Sequence, residues 1–137
     1  MVKMEIYRIR SQDIVRKMDF TKLTVWQNSR CLANSIYILT SSFPKEEVFG
    51  LTSQMRRAAI SVPSNIAEGC GRSGVKEVLH FLHIARGSLF ELETQCYLAL
   101  DQDYLNDTDF KIISNQIQDC KRLLNGYINY HRNKLNK

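Results

Sequence analysis

Residues 75–100, VKEVLHFLHIARGSLFELETQCYLAL, decide the fold of this chain. Val75, Val78, Leu79, Leu82, Ala85, Leu89, Leu92, Cys96 and Leu100 recur every three or four residues, so they form one stripe along a helix about 30 residues long. No proline interrupts the stretch, and Ser73 just before it is a candidate N-cap for a helix reaching about 103. A helix with one apolar stripe must bury that stripe against something, and the rest of the sequence supplies three more helices of similar make.

Upstream, the apolar pattern Val48, Leu51, Met55, Ala58, Ala59, Val62, Ile66 predicts a helix from Pro44 to about 69. Pro44 suits its first position, and Glu46 and Glu47 suit the positive end of the helix dipole. Pro63 removes the hydrogen bond to the Ala59 carbonyl, so a kink is expected near 59–63. Further back, Leu23, Trp26, Ala33 and Tyr37, flanked by Ile36 and Leu39, predict a helix over roughly 21–41. Downstream, Asn106 or Asp107 caps a fourth helix whose stripe is Phe110, Ile113, Ile117, Cys120, Leu124, Tyr127 and His131. The fold class is therefore all-α: an up-down-up-down antiparallel four-helix bundle occupying residues 18–137. Residues 1–17 lack this pattern and carry five basic against two acidic groups, which reads as a flexible basic N-terminal arm.

The composition agrees. A chain of 137 residues is one domain, with 44% hydrophobic residues for a core and only two prolines and six glycines to break it. It has no apolar run of the roughly 20 residues that span a bilayer, and charges stand where a signal peptide would be apolar, so no membrane role and a cytoplasmic location are expected. Cys31, Cys70, Cys96 and Cys120 are widely spaced and read as reduced thiols, mostly in the core.

Net charge is +5, unevenly placed. Residues 77–109 hold seven acidic groups and one basic, whereas 110–137 hold six basic and one acidic. Alternating helix direction gathers Lys17, Lys22, Arg72, Lys76, Arg132, Lys134 and Lys137 at one pole of the bundle. Glu46, Glu47, Asp101, Asp103, Asp107 and Asp109 gather at the other, with Lys45 the main exception.

Motifs of catalysis find little support. Gly69-Cys70-Gly71-Arg72-Ser73-Gly74 matches the dinucleotide fingerprint in letters only, because a helix precedes it where a strand is required. It reads as a turn in which Gly69 ends one helix, although free amides at the next helix start, beside Arg72 and Lys76, suit a phosphate. Glu77-x-x-His80 resembles half a di-iron motif, but the remaining histidines cannot complete the set. With no activated nucleophile pattern either, the expectation is a non-enzyme with no metal and no cofactor.

Polar residues inside the helices ask for another explanation. Gln54, Arg57, Ser61, Asn65 and Glu68 form one stripe, and Glu91, Glu93 and Thr94 lie on the following helix near the small pair Gly87-Ser88. They suggest an Arg57–glutamate pair and an Asn65 contact between helices or between subunits. Phe81 and Ile84 add apolar surface outside the main stripe, as a subunit interface would.

Several of these residues carry a resemblance. Phe20-x-x-Leu23-x-Val25-Trp26-Gln27, then Phe43-Pro44-x-x-Glu47-x-Phe49-Gly50-Leu51-x-x-Gln54-x-Arg56-Arg57-Ala58-Ala59, are similar to the first two motifs of a known bacterial family. Ser61-Val62-Pro63-Ser64-Asn65-Ile66-Ala67-Glu68-Gly69 and Phe81-Leu82-x-Ile84-Ala85-x-Gly87-Ser88-Leu89-x-Glu91-Leu92-Glu93-Thr94 resemble its next two. The family is that of the four-helix-bundle proteins encoded by intervening sequences of 23S rRNA genes. The match covers about 19–125, and the arm before it has no counterpart, which makes Met18 an alternative start. The resemblance implies a homopentameric ring without enzymatic activity. Through the related accessory proteins of diversity-generating retroelements, it also implies RNA or DNA as a partner, and a protein partner such as a reverse transcriptase. On that reading Arg56, Arg57 and Arg72 bind nucleic acid, and the charge map adds Lys76, Arg132 and Lys134. The competing expectation is a protein–protein scaffold without a nucleic-acid role.

Overall fold

The computed structural model describes residues 19–136; the arm at 1–17, with Lys17, and the terminal Lys137 lie outside the described residues. The stripe at 75–100 does form one helix, α3 (Val75–Asp101), and its partners are α1 (Thr24–Thr40), α2 (Leu51–Cys70) and α4 (Asp107–Leu135). Two short 3-10 turns, Phe20–Lys22 and Lys45–Glu47, precede α1 and α2, and the described residues contain no strand. Each helix packs on its neighbours in sequence and α1 closes onto α4, while the backbones of the diagonal pairs stay apart. That is the antiparallel up-down-up-down arrangement. Leu32, Ile36, Met55, Val62, Ile66, Leu82, Leu89, Leu92, Ile113, Ile117, Leu124 and Ile128 fill the centre and are fully buried. Each such side chain contributes about 1.5–3 kcal/mol through burial.

The ends of the helices differ in detail from the sequence reading. Pro44 opens the 3-10 turn, and α2 starts only at Leu51. Glu47 still serves that helix start, since its Oε1 accepts from the Leu51 N–H at 3.4 Å. Ser73 does not cap α3; Gly74 holds that position without a side-chain bond. Asn106 does cap α4, its Oδ1 accepting from the Asp109 N–H at 2.7 Å. Asp103 stops α3 by taking a left-handed conformation (φ 62°), which lets the Tyr104 N–H reach back to the Ala99 carbonyl at 2.9 Å. Through Pro63, α2 remains one helix.

Gly69 has a different role from the predicted one. It lies buried inside α2, and a Cβ there would stand 3.3 Å from the Val78 carbonyl oxygen and 3.4 Å from Phe81 Cβ. Its job is to let α2 and α3 approach closely, one residue before the helix ends. Gly87 has open space around it, so the close approach expected there falls on Ser88 alone.

The buried stripe of α1 is also rotated from the expected one. It consists of Val25, Ser29, Leu32, Ile36 and Thr40, while Tyr37 is exposed and Trp26 only half-buried. Ser29 and Thr40 enter the core because their hydroxyls donate to their own helix carbonyls, Trp26 at 2.8 Å and Ile36 at 2.7 Å. Val48 lies before α2 and is exposed, and Thr52 and Gly69 complete the inner face of that helix instead. The four thiols divide evenly. Cys96 and Cys120 are core residues, each pushed up to about 12 by burial, with Glu93 adding to the effect at Cys96. Cys70 is half-buried and Cys31 is exposed.

Candidate nucleic-acid interface

Alternating direction brings the start of α1, the end of α2, the start of α3 and the end of α4 to one pole. There they enclose a groove of about 610 Å³ lined by Phe20, Gly69 to Ser73, Val78, Tyr127 and His131. Arg72 lines it, and three more cations lie at the same pole. Arg72 follows α2, Lys76 occupies the first turn of α3, and Arg132 and Lys134 sit in the last turns of α4, where cations suit the negative end of the dipole. Arg72 is held at 2.6 Å from Glu68 Oε1 and lies 4.8 Å over the Phe81 ring. Both partners of that ion pair are substantially exposed, so it orients the guanidinium more than it stabilises the fold. Lys134 stands 4.4 Å over the Tyr130 ring.

Aromatic rings are interleaved with these charges. Tyr127 and Tyr130 are nearly parallel, with centroids 6.3 Å apart, and His131 meets both edge-on. The Tyr127 hydroxyl lies 3.5 Å from Cys70 Sγ, and burial raises its pKa, with Cys70 and Tyr130 adding to the effect. His131 is buried with neither ring nitrogen hydrogen-bonded, and its pKa is lowered by burial and then by Lys134. His83 on α3 is lowered in the same sense, by burial, then by Arg132 across the α3–α4 seam, then by Arg86 and His80. The pole thus favours neutral imidazoles among fixed cations.

The predicted nucleic-acid set splits in two. Arg72, Lys76, Arg132 and Lys134 share the basic pole. Arg56 and Arg57 do not belong to it: they lie near the start of α2, about 20 Å along the helix axis from its end beside Arg72, and line a separate groove against α1. The opposite pole is acidic, as expected. Tyr104 there has its pKa raised by burial, by a hydrogen bond to Glu47 and by the charges of Glu47 and Glu46.

The polar stripe of α2 is also resolved. Asn65 Nδ2 donates to the Ser61 carbonyl (2.8 Å) and to Ser61 Oγ (2.9 Å), and the Ser88 hydroxyl completes the chain to Ser61 Oγ at 2.8 Å. The inter-helix contact expected of Asn65 therefore runs through Ser61. Within the chain no Arg57–glutamate pair forms among the described residues. Glu68 takes Arg72, Glu91 accepts from Gln95 at 3.2 Å, and Glu93 turns the other way, to Lys121 (2.8 Å) and Gln118 on α4. Arg57 stays on the exposed side of α2, as does Gln54, and has no acidic partner among the described residues. Phe81 is half-buried beneath Arg72, while Ile84 is 39% exposed. Glu77 and His80 both face outward, and no group of three metal-ligating side chains exists among the described residues.

Sequence reasoning missed the aromatic cluster of Tyr127, Tyr130 and His131 at the basic pole. Their i, i+3, i+4 spacing at a cationic helix end was legible, but Tyr127 and His131 fitted the core stripe and were assigned there.

A four-helix bundle with a cationic, aromatic-lined pole and no metal-ligand cluster among its described residues belongs to the class of small helical-bundle proteins. The 23S rRNA-intervening sequence protein family matches residues 21–126, and the chain belongs to that family. Among solved structures it is similar to a protein of unknown function from the S23 ribosomal protein family of Bacteroides thetaiotaomicron VPI-5482. The TM-score is 0.72 and the identity 23%, over 77% of this chain and 98% of that one, which supports the shared bundle fold. No curated protein matches the chain. No helix among the described residues is long and apolar enough to cross a membrane.

Proposed function

We propose that this chain is a non-enzymatic binding module that assembles as a homo-oligomer, a pentameric ring, and engages RNA or DNA through its basic pole. The observation that carries the reading is that Arg72, Lys76, Arg132 and Lys134 share one pole of the bundle with a groove lined by Arg72, Phe20 and Tyr127. Cations track phosphates, and exposed rings such as Tyr130 accept stacked bases, the combination that single-stranded nucleic acid requires. Self-association is supported by apolar residues left outside the core. Ile38 and Ile112 share a groove between α1 and α4, and Ile84 and Leu98 lie about four turns apart on one face of α3. In a ring of parallel subunits the basic poles form a continuous rim.

The test is binding of single-stranded RNA and DNA across a salt series. The expected affinity falls by orders of magnitude between low and moderate salt. Lys76→Glu combined with Arg132→Glu abolishes binding on this reading. Absence of binding at low salt refutes it, and light scattering that shows a monomer at micromolar concentration refutes the ring. A second reading, a scaffold for a protein partner such as a reverse transcriptase, is favoured by Phe49, which is 96% exposed just before α2. Phe49→Ala separates the two, because it weakens only a protein contact.

A further inference from the structure

The groove that holds Arg56 and Arg57 lies between the end of α1 and the start of α2, and it encloses about 420 Å³. Lys45 joins the two arginines in its lining, and none of the three has a carboxylate within ion-pair distance among the described residues. Three cations converging in one concave site repel each other unless an anion lies between them. Nearby Glu47 does not fill that role: it is outside the groove lining, and its carboxylate accepts from the Leu51 N–H.

The site is also organised. Arg56 Nε donates to Thr40 Oγ1 at 2.9 Å while its guanidinium lies 4.6 Å over the Tyr37 ring, so the head group is fixed and its terminal N–H groups remain free of protein acceptors. The Thr40 hydroxyl can accept that bond because its own proton goes to the Ile36 carbonyl at 2.7 Å. Thr52, in the wall, is 7% exposed, and its hydroxyl has no partner. Thr52 and Ser53 belong to the first turn of α2, before Gln54 makes its bond to the Gly50 carbonyl, so their amides add to the positive end of the helix. Phe43, Val48 and Ile60 give the rest of the groove an apolar wall.

We propose that this groove binds a small phosphate monoester, with the dianionic phosphate between Lys45, Arg56 and Arg57 and its organic body against Tyr37 and Ile60. Three cations match a dianion better than the single charge of a phosphodiester. The volume falls within the usual range of small-ligand sites. This site is separate from the basic pole and does not depend on it.

The test is titration calorimetry of the full chain with inorganic phosphate, adenosine 5′-monophosphate and adenosine. The monophosphate is expected to bind saturably, one per chain, and about tenfold more tightly than adenosine. Arg57→Gln, at an exposed position, weakens it about tenfold, and Thr52→Val weakens it several-fold, both with an unchanged melting temperature. Lys76→Glu leaves it unaffected. Inorganic phosphate binding as tightly as the monophosphate removes the role of the apolar wall and overturns the ester assignment. Equal binding of adenosine, no saturation at millimolar concentration, or loss in Lys76→Glu without loss in Arg57→Gln overturns the site.

Discussion

The two flanks of α3 are built on opposite plans. Against α2 the contact is made by small groups: Gly69 sits over the Val78 carbonyl, and the hydroxyls of Ser61 and Ser88 meet at 2.8 Å. Against α4 it is made by long side chains. Glu93 reaches Lys121 and Gln118, Lys121 lies 4.0 Å over the Phe90 ring, and Tyr97 packs on Phe110 with centroids 5.0 Å apart. The first flank is held by backbone proximity, the second by charge and ring contacts that close over the seam. The α4 flank pairs Glu93 with Lys121 and Gln118, whereas the α2 flank leaves Gln54 and Arg57 facing outward.

The largest expected effect breaks the first flank. Gly69→Val places two methyl groups where even a Cβ is tight against backbone, and it should destabilise the chain by about 3 kcal/mol in urea denaturation. A neutral result would show that α2 and α3 do not rely on close approach. On the second flank, Glu93→Ala leaves Lys121, only 13% exposed, without its carboxylate. A loss of about 1 kcal/mol is expected, discounted for partial solvent screening and smaller at high salt. Ser88→Ala removes one member of the hydroxyl chain while Asn65 still donates to Ser61, so about 0.5–1 kcal/mol is expected, independent of salt. Salt sensitivity at Ser88, or none at Glu93, contradicts the division.

A pH series sharpens the same contrast with the smallest effect. His131 on α4 and His83 on α3 both have folded-state pKa values below the unfolded value near 6.5. The unfolded state therefore binds protons first, and their contribution is complete above that value and declines as pH falls through the depressed folded values. The melting temperature should drop on acidification from pH 7.5 to 5.5, and less steeply in His131→Gln. An equal slope in the variant removes His131 from the account.

The fold was legible because four stripes of three-to-four spacing leave a chain of this length few alternatives. What the stripes could not reveal is that α1 buries Ser29 and Thr40. A hydroxyl that bonds its own helix carbonyl is apolar for packing purposes yet polar in a sequence count, so the inner face was placed about one residue away. The basic pole was legible from direction and charge alone. The separation of Arg56 and Arg57 from it was not, because the resemblance joined residues that a 20-residue helix keeps at different heights. Arg57 has no glutamate partner within the chain for a related reason: spacing along one helix does not say which glutamates a third helix turns toward the fourth.

The uneven burial of the four cysteines turns the chain into its own reporter of opening. Cys31 offers a solvent-facing thiol to an alkylating reagent in the native state, while Cys96 and Cys120 sit in the core with thiols held protonated. Their alkylation must wait for α3 and α4 to part, so the ratio of slow to fast labelling measures how often the bundle breathes. A ligand that clamps the helices would lengthen the slow phase and leave the fast one untouched.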